Sequence, residues 1–189
     1  MDRQYRVAVV VGSLRKGSFS RMLANAAREV APPSLQLGIV EIRQLSLYDQ
    51  DLEGDAAPAE WKAFRKDIRS HDAVLFVTPE YNRSIPGCLK NAIDVGSRPY
   101  GQAAWSGKPC AVLSISPGAL GAFGANHHLR QCLVFLDMPV LQAPEAYVGG
   151  AANLFDASGK LTNDGTREFL TKFMAAFGAW VGKTAAKTA

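Results

Sequence analysis

An α/β domain, a parallel β-sheet with helices on both faces, is the fold class this sequence predicts, and three observations carry it. Apolar, β-rich runs recur at 5–11, 35–42, 73–78, 109–115 and, more briefly, 139–142. They are short, continuous and bounded by Gly and Pro, as suits strands covered on both faces. The segments between them are long enough for crossover helices, so five parallel strands is the expected sheet.

Each element has its own warrant. The first strand ends at Gly12-Ser13, and the helix predicted over 18–30 stops before Pro32-Pro33, which cannot continue it. After strand 35–42 comes an acidic, polar loop at 49–58. The next helix, 59–70, carries Trp61, Phe64 and Ile68 at helical spacing, a core-facing stripe. Strand 73–78 leads through a Pro-bounded loop to helix 87–96, which starts after Pro86. Strand 109–115 leads through Gly118, Gly121 and Gly124 to helix 125–136. The short run 139–142 is the fifth strand, and helix 164–181 closes the fold with Phe173, Phe177 and Trp180 at helical spacing.

Composition bounds the rest. A chain of 189 residues with 48% hydrophobic content can bury one good core, so one domain, 1–189, is expected, with 182–189 as a flexible tail. A net charge of +4 favours small anionic ligands mildly and does not call for nucleic acid. Cys88, Cys110 and Cys132 are odd in number and widely spaced, which gives neither a disulfide framework nor a metal pair and fits a reducing cytoplasm. The N-terminus leaves no room for a signal peptide, and no apolar run reaches the length of a membrane span; a cytoplasmic protein without membrane contact is expected.

In open parallel sheets ligands bind outside the carboxyl ends of the strands, which brings together loops 12–20, 79–86 and 116–124. The first reads as a phosphate site. It opens a helix whose N-terminal N–H groups lack partners and sit at the positive end of the dipole. Arg15 adds charge, Ser13, Ser18 and Ser20 add hydroxyls, and Gly12 and Gly17 allow a tight turn. Neither Gly-x-Gly-x-x-Gly nor Gly-Lys-Ser/Thr is present, and Glu41 is a weak stand-in for an acidic ribose ligand, so a single phosphomonoester is the better match. The second loop, with its stiff Pro79-Glu80-Tyr81-Asn82 turn, can aim backbone groups at the edge of a flat heteroaromatic ring. Glu80 is an alternative general acid or base, with no partner carboxylate or histidine evident beside it. His127 and His128 are adjacent and lack a Cys/Asp/Glu set, so capping or interface roles suit them better than a metal; no metal site and no side-chain nucleophile are expected.

Two segments carry a family resemblance. Gly12-Ser-Leu-Arg-Lys-Gly-Ser-Phe-Ser20 and Pro79-Glu-Tyr-Asn-Arg-Ser-Ile-Pro-Gly-Cys-Leu-Lys-Asn-Ala-Ile-Asp94 resemble the FMN-phosphate loop and the flavin-ring and dimer segment of the flavodoxin-like NAD(P)H-dependent FMN reductases, which include quinone, azo-dye and chromate reductases. The order of elements fits from Arg6 to about Gly182. The resemblance implies a flavodoxin-like three-layer sandwich with sheet order 2-1-3-4-5, bound FMN, and NADPH or NADH as co-substrate. Ser13, Arg15, Ser18, Phe19 and Ser20 would hold the phosphate and ribityl chain, Pro79, Glu80, Tyr81 and Asn82 would meet the isoalloxazine, and Ser116 and Gly118 would lie along its other edge. Many relatives carry Asn where Ser20 stands and Trp where Val95 stands, which bears on affinity and dimer packing.

The implied activity is two-electron, ping-pong reduction of quinones or other small acceptors such as chromate. A homodimer or homotetramer is implied, with 84–94 at the dimer contact; Tyr48, Arg130 and Glu145 are candidates for polar contacts at a second interface or for exposed ion pairs unrelated to assembly. The alternative is a flavodoxin-type electron carrier without substrate turnover; a sequence pI near 9.0 argues against the acidic docking surface such carriers use.

Overall fold

The polypeptide alternates strand and helix from its first turn to its last. In a computed structural model that describes residues 3–185, the order is β1 (Tyr5–Val11), α1 (Phe19–Glu29), β2 (Leu35–Val40), α2 (Ala59–Arg69), β3 (Ala73–Thr78), α3 (Gly87–Gly96), β4 (Cys110–Ile115), α4 (Phe123–Phe135), β5 (Ala146–Val148) and α5 (Asp164–Thr184). The strands form one sheet in the order β2-β1-β3-β4-β5, and each neighbouring pair is parallel. The expected flavodoxin-like architecture is the one found.

Side-chain alternation along β1 builds two cores. Val7, Val9 and Val11 point into one layer with Leu23 and Ala27 of α1 and Phe173, Phe177 and Val181 of α5. Ala8 and Val10 point into the other with Trp61, Phe64 and Ile68 of α2, Leu89 and Ile93 of α3, and Leu129 and Leu133 of α4. The period of two across a strand makes this division obligatory. In the second layer Phe64 meets Trp105 edge to face, centroids 5.8 Å apart. Arg65 is also buried there; it pairs with Glu53 and donates from Nε to the Val95 carbonyl at 2.7 Å, tying α2 to the end of α3.

Four boundaries differ from expectation. β2 ends at Val40, so Glu41 and Ile42 leave the sheet. α4 begins two residues early, at Phe123, because Ala122 turns the chain through a left-handed conformation (φ 62°). The fifth strand is Ala146–Val148 and not 139–142: Val140 makes one parallel bridge to Cys110, and regular pairing with β4 starts only beyond Pro144, which has no N–H to give the ladder. Of the expected flexible tail, 182–184 continue α5, and 186–189 lie outside the described residues. The acidic loop at 49–58 contains two short 3-10 turns, the first capped by the Asp49 carboxylate on the Asp51 N–H at 3.0 Å.

No described helix is long and apolar enough to cross a membrane. The three cysteines are free, with Cys110 buried and the other two half-buried. Burial pushes all three thiols up, away from reactive thiolate.

Candidate functional site

Loops 12–20, 79–86 and 116–124 meet at the carboxyl edge of β1, β3 and β4, as an open parallel sheet requires. A cavity of about 160 Å³ between them is lined by Ser13, Arg15, Ser18, Phe19, Ser20, Pro79, Glu80, Tyr81, Ile115, Ser116 and Pro117. Nine of the eleven residues expected from sequence are in this lining; Asn82 and Gly118 are not, and Ile115 and Pro117 are the additions. Ile115 was assigned to a strand, and its position at the strand's end is what brings it to the site.

The first loop is organised around the start of α1. Ser18 caps the helix, its Oγ accepting from the Arg21 N–H at 3.4 Å, and no acidic residue occupies the first turn. The N–H groups of Phe19 and Ser20 therefore have no intrahelical partners and face an uncompensated positive dipole end. Ser20 Oγ is buried, its residue 1% exposed, and it has no hydrogen-bond partner. Arg15 is exposed, and its guanidinium makes no ion pair among the described residues. A Cβ on Gly12 would come within 3.0 Å of Leu89 and 3.2 Å of Thr78, so close packing on β3 and α3 requires that glycine. Gly17 has open space and no positive φ, contrary to the tight-turn role expected of it.

The second loop is a two-residue hairpin. Tyr81 and Ser84 exchange both backbone hydrogen bonds, at 3.0 and 2.9 Å, and Asn82 and Arg83 between them have φ of 50° and 65°. Two successive positive φ values are the mark of a type I′ turn. Its effect is to leave the Tyr81 ring 53% exposed at the cavity mouth. The Glu80 side chain also reaches a helix end: Oε2 accepts the Ala125 N–H at 2.9 Å, which caps α4 from outside that helix. That contact gives the carboxylate a structural role at a helix terminus beside the acid or base role. Ser84 Oγ also bonds His128 Nδ1 at 2.7 Å, and His127 Nε2 bonds the Tyr147 hydroxyl at 2.9 Å. Tyr147 in turn donates to Glu145 at 2.6 Å; burial and this carboxylate push the phenol up to about 12.

The third loop is pinned to the end of β5. Gly121 has φ +57°, and a Cβ there would lie 2.5 Å from the Tyr147 carbonyl carbon. Buried Ser114 holds its backbone, donating to the Gly121 carbonyl at 2.7 Å. Ser116 Oγ donates to the Gly118 carbonyl at 3.1 Å. Of the residues expected at a second interface, Arg130 is used internally, on Asn126 and the Leu141 carbonyl at 2.9 and 3.0 Å, and the Tyr48 hydroxyl is buried without a partner.

These features suit FMN. An unpartnered buried hydroxyl, a capping serine, an exposed arginine and a helix N-terminus match a phosphate and ribityl chain, while a rigid backbone turn with an exposed tyrosine matches the edge of a planar ring. Nothing in the site requires a second phosphate on the same side of α1, as a dinucleotide-binding loop would.

Comparison with known proteins agrees. The sequence pattern of the family described as NADPH-dependent FMN reductase matches residues 5–153. A quinone reductase of Pseudomonas putida is 67% identical over 181 residues, covering 96% of this chain and 97% of the relative. A 2-hydroxy-1,4-benzoquinone reductase from a Burkholderia species is 44% identical over 93% of this chain and 96% of its own. Among solved structures, the flavoenzyme NAD(P)H:(acceptor) oxidoreductase FerB of Paracoccus denitrificans superposes with a TM-score of 0.90 at 41% identity, covering 96% of this chain and all of that one.

Proposed function

Because the chain belongs to the NADPH-dependent FMN reductase family, we propose that it is a one-domain flavoenzyme that uses NAD(P)H to reduce quinones, with loops 12–20, 79–82 and 116–118 as its FMN site. When bound, FMN would supply the two-electron redox chemistry between NAD(P)H and the acceptor. The observation that carries the site assignment is the buried, unpartnered Ser20 Oγ at the start of α1.

The residues bind and orient. Ser13, Ser18, Ser20 and Arg15 hold the phosphate and ribityl chain with the Phe19 and Ser20 N–H groups. Pro79, Tyr81 and Asn82, with the Glu80 backbone, present the hairpin to the ring's polar edge, and Ser116 and Gly118 border its other side. Backbone N–H groups there stabilise negative charge on the ring without a titrating side chain. The exposed Tyr81 ring leaves a shallow slot that nicotinamide and acceptor occupy in turn, which predicts parallel lines in double-reciprocal kinetics. The acceptor of this reading is a quinone; chromate is named for none of the relatives above.

The active unit is a dimer across the groove between α3 and α4. That groove, of about 380 Å³, is lined by Ile93, Arg98, Cys132, Phe135 and Leu136 among others. Phe135 and Val134 stand 84% and 71% exposed along α4, an apolar display that calls for a cover. A monomeric mass in solution refutes this assembly.

The deciding experiment is the visible spectrum of protein reconstituted with FMN, recorded before and after anaerobic NAD(P)H and again after a benzoquinone. Bleaching by the nicotinamide and recovery with the quinone is the expected result. A bound flavin that neither nicotinamide reduces means an electron carrier, and failure to bind FMN overturns the site.

A further inference from the structure

A second cavity, of about 260 Å³, lies against the phosphate loop on the side away from the ring turn. Sheet order puts it there: β2 flanks β1 opposite β3, so the chain leaving β2 at Glu41 to Arg43 walls one side and Leu14 to Lys16 the other. Arg15, Lys16, Arg21 and Arg43 bring four positive charges to this lining, and Glu41 brings the one negative charge.

The charges do not cancel. Arg21 grips both Glu41 oxygens, at 2.7 and 2.8 Å, and this fork holds the carboxyl below the usual carboxylate range. Glu41 is thereby removed as an acceptor for ribose hydroxyls, the role an acidic residue plays near the end of β2 in folds that select NADH. On the reading above, Arg15 serves the FMN phosphate. Among the described residues Lys16 has no hydrogen-bond or ion-pair partner, and Arg43 donates to the Leu14 carbonyl while its charge also acts on Glu41. With the single carboxylate of Glu41 shared between Arg21 and Arg43, the lining keeps a surplus of positive charge, Lys16 the least engaged, beside a cavity sized for part of a ligand and not a whole dinucleotide.

This cavity adjoins the flavin site. A third hollow, lined by Leu14, Tyr81, Pro86, Gly87 and Cys88 among others, shares Ser13, Leu14 and Arg15 with the cationic cavity and Ser13, Arg15 and Tyr81 with the flavin cavity. The three hollows therefore lie side by side along the phosphate loop, from the ring turn to Lys16 and Arg43.

We propose that the cationic cavity is the subsite for the 2′-phosphate of NADPH, with Lys16 and Arg43 as the residues that favour NADPH over NADH. The inference rests on the reading that a nicotinamide dinucleotide reduces flavin in this site. A 2′-phosphate carries nearly two negative charges at neutral pH and strong acceptor oxygens, which an ammonium and a guanidinium match.

The test pairs binding with selectivity. FMN-loaded enzyme is titrated calorimetrically with 2′,5′-ADP and with 5′-AMP, and kcat/KM is measured with NADPH and NADH for wild type, Lys16→Gln, Arg43→Gln and the double variant, all normalised to FMN content. The expected result is binding of 2′,5′-ADP about tenfold or more tighter than 5′-AMP, and a fall of about three- to tenfold in the NADPH/NADH ratio for each single variant. Arg43 also holds the phosphate loop, so Lys16→Gln, which breaks no hydrogen bond or ion pair among the described residues, decides if Arg43→Gln loses flavin. Equal binding of the two nucleotides, or a ratio within twofold of wild type in Lys16→Gln, overturns the subsite alone. Wild-type flavin that neither dinucleotide reduces overturns the parent reading and the subsite with it.

Discussion

Replacing Glu80 separates a structural carboxylate from a catalytic one. Helix α4 has no cap of its own: Ala122 precedes it in a left-handed conformation, and its first turn holds no acid. Glu80 supplies the missing group across 45 residues of sequence, accepting the Ala125 N–H at 2.9 Å. Loss of such a cap costs about 1 kcal/mol, and loss of a negative charge at a helix N-terminus about 0.3–1 kcal/mol more. Glu80→Ala should therefore destabilise by roughly 1–2 kcal/mol, lowering Tm by about 3–6 °C in a chain of this size. Glu80→Gln keeps an acceptor and loses only charge, which predicts a fall of about 1–3 °C. Because the same side chain anchors the ring turn, kcat with a quinone should drop with stability, by up to about fivefold for a loosening near 1 kcal/mol. A general acid or base would instead cost roughly 10²–10⁴-fold in the Gln variant. Thermal unfolding and turnover on the same FMN-loaded samples decide the matter. A hundredfold loss of kcat in Glu80→Gln at full FMN occupancy, or an unshifted Tm in Glu80→Ala, would refute the capping role.

Other substitutions test the remaining supports of the site. Ser20→Ala removes an unpartnered buried hydroxyl, so the FMN-free protein should be as stable as wild type or slightly more so, while FMN affinity falls about three- to tenfold by fluorescence titration. Gly121→Ala forces a side chain into positive φ and to within 2.5 Å of the Tyr147 backbone; a loss of roughly 2–5 kcal/mol in urea unfolding is expected. Arg83→Gly relieves a left-handed non-glycine residue at φ 65° and should stabilise by about 0.5–1 kcal/mol, net of the freer unfolded chain. Glu41 has its pKa depressed below 4.5 by Arg21, so the pair contributes fully above that value and is lost as pH falls through the folded value. Glu41→Gln should accordingly lower Tm at neutral pH, with the wild-type and variant curves of Tm against pH converging only in strong acid.

Legibility in the sequence followed burial. Strands 5–11 and 73–78 were readable to the residue, because β1 and β3 are central and β3 is buried at every position, so an uninterrupted apolar run had one meaning. The edge strand was not. β5 is three residues, Ala-Tyr-Val, a weaker signal than Pro139-Val-Leu, which joins the sheet only through Cys110: its N–H donates to the Pro139 carbonyl, and its carbonyl accepts from Leu141. The phosphate and ring loops were visible because Gly, Ser and Pro punctuate strand ends. The groups that fix those loops were not visible, since Arg43 to Leu14 and Glu80 to Ala125 span 29 and 45 residues and follow no local pattern. Gly17 illustrates the opposite error: composition suggested a backbone need that its open surroundings do not impose.

Those long-range supports explain how the three loops keep a fixed geometry. Each loop is held by a group from another element: the Gly12 N–H on the Val77 carbonyl at 2.8 Å, the Gly150 N–H on the Gly118 carbonyl at 3.3 Å, Arg43 on Leu14, Glu80 on α4 and Ser114 on Gly121. With the backbone already placed, a flavin meets donors that need not reorganise, and the binding energy otherwise consumed in ordering loops goes to affinity and to stabilising ring charge. The supports all lie beneath or beside the cavity. At its mouth stands Tyr81, over half exposed, on a turn whose two outermost residues face solvent. A pocket held from below and open at its mouth places the flavin while leaving one side of the site accessible to solvent.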